Sequence, residues 1–240
     1  MRVICGGTGR DLAAAISRAV TQGCRGLVSF GVAGGLAPEL KPGACIVGSA
    51  VLAGPHRMPT DQQWSQRVLR TIPNAVHGML LGVPAPVSDP ADKRTLYLNT
   101  GAVAVDMESH IVANIAGAHG MPMVAIRVVT DSAMRAIPRA ALAAMRPNGT
   151  IDVFAMLQSL IKRPRDLSLL LQSALDVRAA RATLRHGRRL LGPSLGLPES
   201  RGAKDSLHER PVASGQRRTN VSASQFGAFV PATGALQNAK

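Results

Sequence analysis

Two acidic residues follow apolar stretches of the sequence, at positions where a carboxyl group could take part in chemistry. Asp131 ends the apolar run 124–129, and a partly buried carboxyl group there could deliver a proton to the nitrogen of a leaving group. Glu108 follows the small apolar run 102–105, and its carboxylate could accept two hydrogen bonds from a vicinal diol such as that of a ribose. Structural roles are the alternatives. Asp131 could cap a following helix and Glu108 could lie in a first helical turn, where Asp106 is the better N-cap.

Two glycine-rich segments could bring the backbone close to a ligand. The segment 31–35 ends in two adjacent glycines, and a loop without Cβ atoms would let a ligand approach the main chain. Gly6, Gly7 and Thr8 precede a predicted helix, and free N–H groups at such a position could bind phosphate or hold a nucleophile. The segment contains no lysine, so it is not a P-loop. For both segments an ordinary tight turn is the alternative.

The elements that would position these residues alternate between strands and helices. A strand at 2–5, a helix at 10–22 and a strand at 26–30 form a βαβ unit, which predicts a parallel sheet. Periodicity predicts further strands at 44–52, 77–83, 102–105 and 122–129, and helices at 61–71, within 84–100, at 106–118 and at 165–191. Ligands bind beyond the carboxyl ends of parallel strands. We therefore expect the two carboxylates and both glycine-rich segments to meet at one edge of the sheet.

The composition argues against several classes of function. Aromatic residues make up only 2% of the 240 residues, which disfavours binding of nucleic acid by base stacking. The three cysteines lack C-x-x-C spacing and the six histidines lack H-E-x-x-H spacing, so neither a metal site nor a disulfide framework is expected. Ser29 lacks the surroundings of a serine hydrolase nucleophile. Neither a signal peptide nor an apolar run of about 18 residues is present, which predicts a cytoplasmic location.

The positive charge is unevenly distributed along the chain. The formal net charge is +14, and most of it falls in residues 162–240. After residue 192 the sequence becomes rich in Ser, Gly, Pro, Arg and Gln and loses its periodicity. This change predicts a disordered basic tail at 193–240.

Three sequence motifs carry a resemblance to a known family. They are Ser-Phe-Gly-Val-Ala-Gly-Gly-Leu at 29–36, Val-Asp-Met-Glu-Ser at 105–109 and Arg-Val-Val-Thr-Asp-Ser at 127–132. In this order and spacing they resemble the superfamily of purine nucleoside phosphorylases and methylthioadenosine/S-adenosylhomocysteine nucleosidases. The resemblance implies an α/β domain at 1–192, with a mixed, mainly parallel central sheet flanked by helices. It also implies an enzyme that cleaves the N-glycosidic bond of an adenosine-type nucleoside.

The resemblance assigns roles to the candidate residues. Asp131 resembles the acid that protonates the departing purine. Glu108 resembles the carboxylate that binds the ribose 2′- and 3′-hydroxyls, and Met107 the residue that packs against the sugar. Gly34 and Gly35 resemble the loop beside the ribose and the attacking phosphate or water.

The identity of the nucleophile stays open at this point. Many relatives that use phosphate carry Ser or Thr where this chain has Val32 and Ala33, so either inorganic phosphate or water could attack. Apart from phosphate as a co-substrate, the resemblance implies no cofactor. It does imply a homo-oligomer.

Longer matches indicate one branch of the family. The segments 104–110, 145–150 and 179–192 resemble the bacterial hopanoid-associated phosphorylases, whose implied reaction releases adenine from adenosylhopane, a lipid-linked nucleoside. A hydrolytic nucleosidase acting on methylthioadenosine or S-adenosylhomocysteine is the alternative enzyme. Family members begin with a strand and a Glu-bearing loop ahead of the segment 6–9, so the resemblance implies that the first strands are missing. The remaining, non-enzyme alternative is an inactive, truncated paralogue or a basic interaction protein.

The predicted helix at 165–191 could bring such an enzyme to its substrate. Its second half carries four arginines spaced along one face: Arg178, Arg181, Arg185 and Arg188. Its first half carries an apolar stripe: Leu167, Leu170, Leu171, Ala174 and Leu175. The basic face could make peripheral contact with an anionic membrane at its inner surface. The alternative is a closing helix, half packed on the sheet and half solvated.

Overall fold

Alternating apolar and turn-forming segments fold into helices and strands in regular succession. The computed structural model describes residues 3–4, 9–138, 141–142 and 167–198. In chain order the elements are α1 (Gly9–Thr21), β1 (Leu27–Gly35), β2 (Cys45–Ala53), β3 (His56–Pro59), α2 (Gln62–Thr71), β4 (Val76–Gly82), α3 (Pro90–Thr100), β5 (Ala104–Asp106), α4 (Ser109–Ala118), β6 (Met123–Asp131) and α5 (Leu167–Leu191). Local chemistry sets two of the helix starts, because the carboxylates of Asp61 and Asp89 accept backbone N–H groups of α2 and α3.

The described strands form a six-stranded sheet that closes on itself. The strand order is β3-β2-β4-β5-β1-β6, and β6 also pairs with β2. β6 is buried along most of its length, as its largely apolar sequence predicts. The pairs β1–β6, β2–β4 and β4–β5 are parallel, whereas β1–β5, β2–β3 and β2–β6 are antiparallel. The predicted mixed α/β class is confirmed.

Helices cover the sheet with two separate apolar clusters. α1 and α4 contribute Leu12, Ile16 and Val112 to the first. α2 and α5 contribute Trp64 and Ala180 to the second. Both clusters include side chains of β6, which alternate between them along the strand. β6, which carries part of the candidate site, is therefore held by the core on both sides.

The domain extends beyond the boundary predicted at residue 192. Leu195 is buried, and its carbonyl accepts a hydrogen bond of 2.9 Å from Nε1 of Trp64. The chain up to residue 198 therefore belongs to the domain. Residues 199–240 of the predicted tail lie outside the described residues, as do the matched segment 145–150 and the candidate loop of Gly6, Gly7 and Thr8.

Two local predictions differ from the structure. Residues 3 and 4 belong to no strand, and the neighbouring residues lie outside the described part, so the predicted strand at 2–5 and its βαβ unit are not found there. The segment 31–35, predicted as a loop, is the second half of β1. It stays extended because Gly34 pairs with β5 on one side and with β6 on the other.

The first half of α5 presents its leucines at the surface. The buried residues of this helix are Ala180, Gly187 and Leu191, which all lie in its second half. The apolar stripe, which the closing-helix alternative would pack on the sheet, is exposed or half-buried, at Leu167, Leu170, Leu171, Ala174 and Leu175. Within the described ranges, no helix has the length and apolar character needed to cross a membrane.

Candidate functional site

Gly34 brings the ends of three strands together. Its backbone pairs with Val105 of β5 and with Asp131 of β6. A Cβ atom at this position would lie 3.2 Å from Oδ2 of Asp131 and 3.5 Å from Cγ1 of Val105, and one on Gly35 would lie 3.1 Å from the Asp131 carbonyl oxygen. Two side-chain-free residues therefore let the Asp131 carboxylate lie against the β1 backbone.

Asp131 is held by side chains on both of its oxygens. Oδ2 accepts a hydrogen bond of 2.6 Å from Nζ of Lys93, and Oδ1 accepts one of 2.9 Å from the Thr130 hydroxyl. The Asp131 side chain keeps 19% of its surface exposed. Residues 132–138 form no helix, so the alternative role of Asp131 as a helix cap does not apply.

Lys93 belongs to the candidate site, although no sequence motif singles it out. It lies on α3, its side chain is 0% exposed, and it is the buried residue of that helix. Besides Asp131, its ammonium donates to the carbonyls of Ser132 at 3.0 Å and Arg135 at 2.9 Å. Lys93 precedes Leu96 by three residues and Tyr97 by four, so it lies on the same face of the helix as these two apolar side chains. This spacing is the one sequence signal of its burial.

A second buried cation, Arg127 in the middle of β6, organises the start of α4. Its guanidinium donates to Oδ1 of Asp106 at 3.1 Å, to the Ser29 hydroxyl at 2.7 Å and to the Ser109 hydroxyl at 3.0 Å. Gly31 leaves space for this group, since a Cβ atom there would lie 2.3 Å from Nη1 of Arg127. Arg127 stands within the motif at 127–132, but the motif alone assigns it no role.

Asp106 takes the capping role that the sequence analysis preferred for it. Its Oδ1 accepts the backbone N–H groups of Glu108 at 2.8 Å and Ser109 at 2.6 Å. Glu108 occupies the N-cap position itself but makes no capping hydrogen bond with its side chain. The Glu108 carboxylate is therefore not used by the helix start.

Glu108 combines exposure with a perturbed electrostatic environment. Its side chain is 49% exposed, and Oε2 lies 3.6 Å from Nη2 of Arg127. Desolvation by the surrounding protein raises the pKa of Glu108; Arg127 opposes this rise, and the buried Asp106 adds to it. Met107 is half-buried beside it. This carboxylate is accessible, yet it is more costly to ionise than one in water.

The candidate residues form two clusters along β1 instead of one edge. Gly34 adjoins Asp131, whereas Gly31 pairs with Arg127, the partner of Glu108. Three residues of extended chain separate the two glycines by about 10 Å. The prediction of one carboxyl edge is wrong for β5, because that strand runs antiparallel to β1 and its carboxyl end points back along β1. β1 and β6 are parallel, as expected, so Gly35 and Asp131 do lie at the same end.

An open cavity of about 440 Å³ lies between α3 and the loop that precedes it. Its walls are the segment 83–88, which is mostly apolar, and one face of α3 that includes Asp92 and Leu96. The backbone N–H of Ile137 donates to the Ser88 carbonyl at 3.2 Å. This contact joins the chain that follows Asp131 to the cavity wall.

Solved structures share this fold at low sequence identity. The 5′-methylthioadenosine/S-adenosylhomocysteine nucleosidase of Campylobacter jejuni is 19% identical, with a TM-score of 0.50 over 65% of this chain and 73% of its own. A mutant of the Helicobacter pylori enzyme with 5′-methylthioadenosine in the active site is 17% identical, with a TM-score of 0.50 over 65% of this chain and 77% of its own. A mutant futalosine hydrolase of Helicobacter pylori is 18% identical, with a TM-score of 0.50 over 65% of this chain and 76% of its own.

These likenesses concern the fold, and the family follows from the sequence. The chain spans between 66% and 78% of the length of the solved chains that it resembles. No curated protein is significantly similar to it in sequence. The family model described as the Phosphorylase superfamily matches residues 1–162, a range that includes Gly34, Glu108 and Asp131. The predicted superfamily is confirmed at this level. The chain belongs to the phosphorylase superfamily.

Proposed function

We propose that the chain cleaves the N-glycosidic bond of an adenosine-type nucleoside and releases adenine. The observation that carries the proposal is the position of Asp131 at the carboxyl end of β6, against the side-chain-free Gly34. When the glycosidic bond breaks, its electron pair stays on the base. A group that delivers a proton to the base nitrogen therefore lowers the barrier.

Glu108 and Met107 hold the sugar in this proposal. The Glu108 carboxylate is half exposed and makes no capping bond, so both of its oxygens could accept hydrogen bonds from vicinal ribose hydroxyls. Arg127, 3.6 Å away, favours the ionised form that accepts such bonds. An anion near the ribose also stabilises the positive charge that develops on the sugar in the transition state.

The finer proposal is that adenosylhopane is the substrate, in hopanoid side-chain synthesis. It rests on the resemblance of the segments 104–110, 145–150 and 179–192 to the hopanoid-associated branch. A hydrolytic nucleosidase of methylthioadenosine or S-adenosylhomocysteine is the second candidate. Val32 favours water as the nucleophile, because it is 41% exposed and offers no hydroxyl to a phosphate.

The test is release of adenine, followed by liquid chromatography, from adenosylhopane, methylthioadenosine, S-adenosylhomocysteine and a series of 5′-alkyl adenosines. Each reaction is run with and without inorganic phosphate, which separates phosphorolysis from hydrolysis. The order of rates along the alkyl series identifies the natural 5′ group. Absence of adenine from every nucleoside would refute the proposed function.

The Asp131→Asn variant tests the assigned acid. Loss of a general acid costs about 10²- to 10⁴-fold in rate, and we expect a decrease in kcat of that order. Glu39→Gln is the matched control, because it also removes one carboxylate but from an exposed position outside the site. Undiminished turnover by Asp131→Asn would remove Asp131 from the mechanism.

A further inference from the structure

We propose that Lys93 is the positioning residue of the acid, and that Lys93 and Asp131 work as one unit in which the proton passed to the leaving base originates on the Lys93 ammonium. This inference rests on the proposed function. Lys93 does not reach the substrate itself in this proposal, and acts through the Asp131 carboxylate that it contacts at 2.6 Å.

The burial of Lys93 is unusual for a lysine on a surface helix. A lysine on a surface helix normally extends its ammonium into water, and burial of an unpaired ammonium is strongly unfavourable. Lys93 is nevertheless 0% exposed. Its three N–H donors have three acceptors, at Asp131 and at the carbonyls of Ser132 and Arg135. The ammonium is thus fixed in position, and it fixes the chain that follows the carboxylate.

The ion pair determines the resting state of Asp131. A neighbouring ammonium stabilises the ionised carboxylate, whereas a general acid has to carry a proton. The Thr130 hydroxyl, which donates to Oδ1, favours the same ionised form. The Asp131 carboxylate is thus paired with an ammonium before any substrate is present. The nearest mobile proton lies on Nζ of Lys93.

The proposed step follows from this geometry. As the C1′–N bond breaks, its electron pair moves onto the base, and the base nitrogen takes a proton from Asp131. Asp131 takes a proton from Nζ of Lys93 through the 2.6 Å hydrogen bond, which leaves Lys93 neutral. Phosphate or water bonds to C1′ of the sugar, and an attacking water releases one of its protons to solvent. After the products leave, Lys93 regains a proton from solvent through the carboxylate, which is 19% exposed.

No other carboxylate competes for Lys93 in the described part of the chain. Its ion pair there is with Asp131 alone. Three sets of charged groups surround the pair. Asp92 and Arg94 flank Lys93 at exposed positions of α3, and the Arg135 guanidinium pairs with Asp176 of α5. Glu108 and Arg127 form the other cluster, beside Gly31 of β1. Proton exchange at this end of the site is therefore expected to run between Lys93 and Asp131.

The test compares Lys93→Met and Lys93→Arg with the matched control Lys41→Met, which removes an exposed lysine. The readout is the pH dependence of kcat/KM for adenine release. In Lys93→Met the proton has to be carried by Asp131 itself. In water a carboxyl group loses its proton near pH 4 and a lysine ammonium loses its proton near pH 10, each to within about a unit. We expect the alkaline limb of the profile to move toward acid pH by at least about one unit, with no shift in Lys41→Met.

Lys93→Arg separates positioning from proton supply. A guanidinium can keep the ion pair but does not release its proton in a protein. We therefore expect KM within about threefold of wild type and kcat lowered at least about tenfold, an effect at the lower end of general-acid losses. An unmoved pH profile in Lys93→Met, or wild-type kcat in Lys93→Arg, would overturn the proposal. If Lys93→Met does not fold, Lys93→Arg decides alone.

A measurement without turnover distinguishes failure of this inference from failure of the proposed function. The carboxyl ¹³C signal of Asp131, assigned by its disappearance in Asp131→Asn, reports the protonation of that group in the wild-type chain. We expect an ionised Asp131 at neutral pH even if no nucleoside is cleaved. A protonated Asp131 at neutral pH would contradict the proposal, because the proton would then not originate on Lys93.

Discussion

Replacing Arg127 by methionine should destabilise the fold by about 3–5 kcal/mol, the usual cost of removing one partner of a buried ion pair. The side chain of Arg127 is 4% exposed and that of Asp106 is 1% exposed, and they lie 3.1 Å apart. Methionine retains an apolar stem but leaves Asp106 as a buried carboxylate without a cation. The N–H groups of Glu108 and Ser109 still donate to Asp106, which offsets part of the loss. The hydroxyls of Ser29 and Ser109 lose the guanidinium as well, and at 3.2 Å they retain each other.

Urea unfolding followed by tryptophan fluorescence measures this loss. Trp64 is the only tryptophan of the chain and is buried, so its emission reports loss of the core. With a slope of about 2 kcal/mol per molar urea, a loss of 4 kcal/mol lowers the midpoint by roughly 2 M. Arg57→Met on the exposed strand β3 is the control, with an expected change within about 0.5 kcal/mol.

A second substitution isolates the charge. Asp106→Asn in the Arg127→Met background removes the uncompensated carboxylate, and we expect a coupling free energy of roughly 0.5–3 kcal/mol in the double-mutant cycle. The reasoning would be refuted if Arg127→Met unfolded at the same urea concentration as Arg57→Met. Strict additivity of the two substitutions would refute it as well.

Three further predictions concern the rest of the chain. Burial raises the pKa of Glu108, so its contribution to stability is present at low pH and lost as the pH rises through that pKa. Glu108→Gln should therefore gain stability relative to wild type as the pH rises above about 4, and a difference in urea midpoints that stays constant with pH would contradict this. Burial raises the pKa of Cys45 to about 11, so iodoacetamide at neutral pH should modify it only after unfolding, as measured by mass spectrometry. Replacing three exposed arginines of α5 by glutamine should lower the affinity for anionic vesicles, measured by co-sedimentation, about 100-fold, at about 1 kcal/mol per arginine. An equal loss of affinity on replacing three exposed arginines outside α5 would exclude a specific role of the basic face of α5. The α5 set is Arg178, Arg181 and Arg185, and the control set is Arg57, Arg67 and Arg70.

The positions of the elements follow from local sequence patterns, whereas the direction of one strand does not. Asp61 caps α2, and Trp64 and Val68 share its buried face, as the spacing of these residues predicts. β5 has only three residues, and a strand this short carries no signal about its neighbours. It is parallel to β4 and antiparallel to β1. This arrangement is set by the closing of the sheet and could not be predicted from periodicity.

The acidic residues of the site were predictable, but their cationic partners were not. Asp131 and Glu108 follow recognisable strands and stand within family motifs. Lys93 lies on a helix whose composition is mostly polar, and its partner Asp131 is 38 residues away, so only the tertiary structure shows that it is buried. Arg127 interrupts an apolar strand, which was a signal of a buried charge, because an arginine within such a strand needs an acidic partner.

The glycines of β1 explain why the two clusters can coexist. Gly31 leaves space for the Arg127 guanidinium, and Gly34 leaves space for the Asp131 carboxylate, so the glycine-rich segment first accommodates charged groups of the protein itself. A nucleoside that reached Gly34 would therefore meet an Asp131 that is already paired with Lys93. The barrier to base release would then depend on how readily this ion pair gives up a proton, and less on the acidity that an isolated carboxyl group would have in the same place.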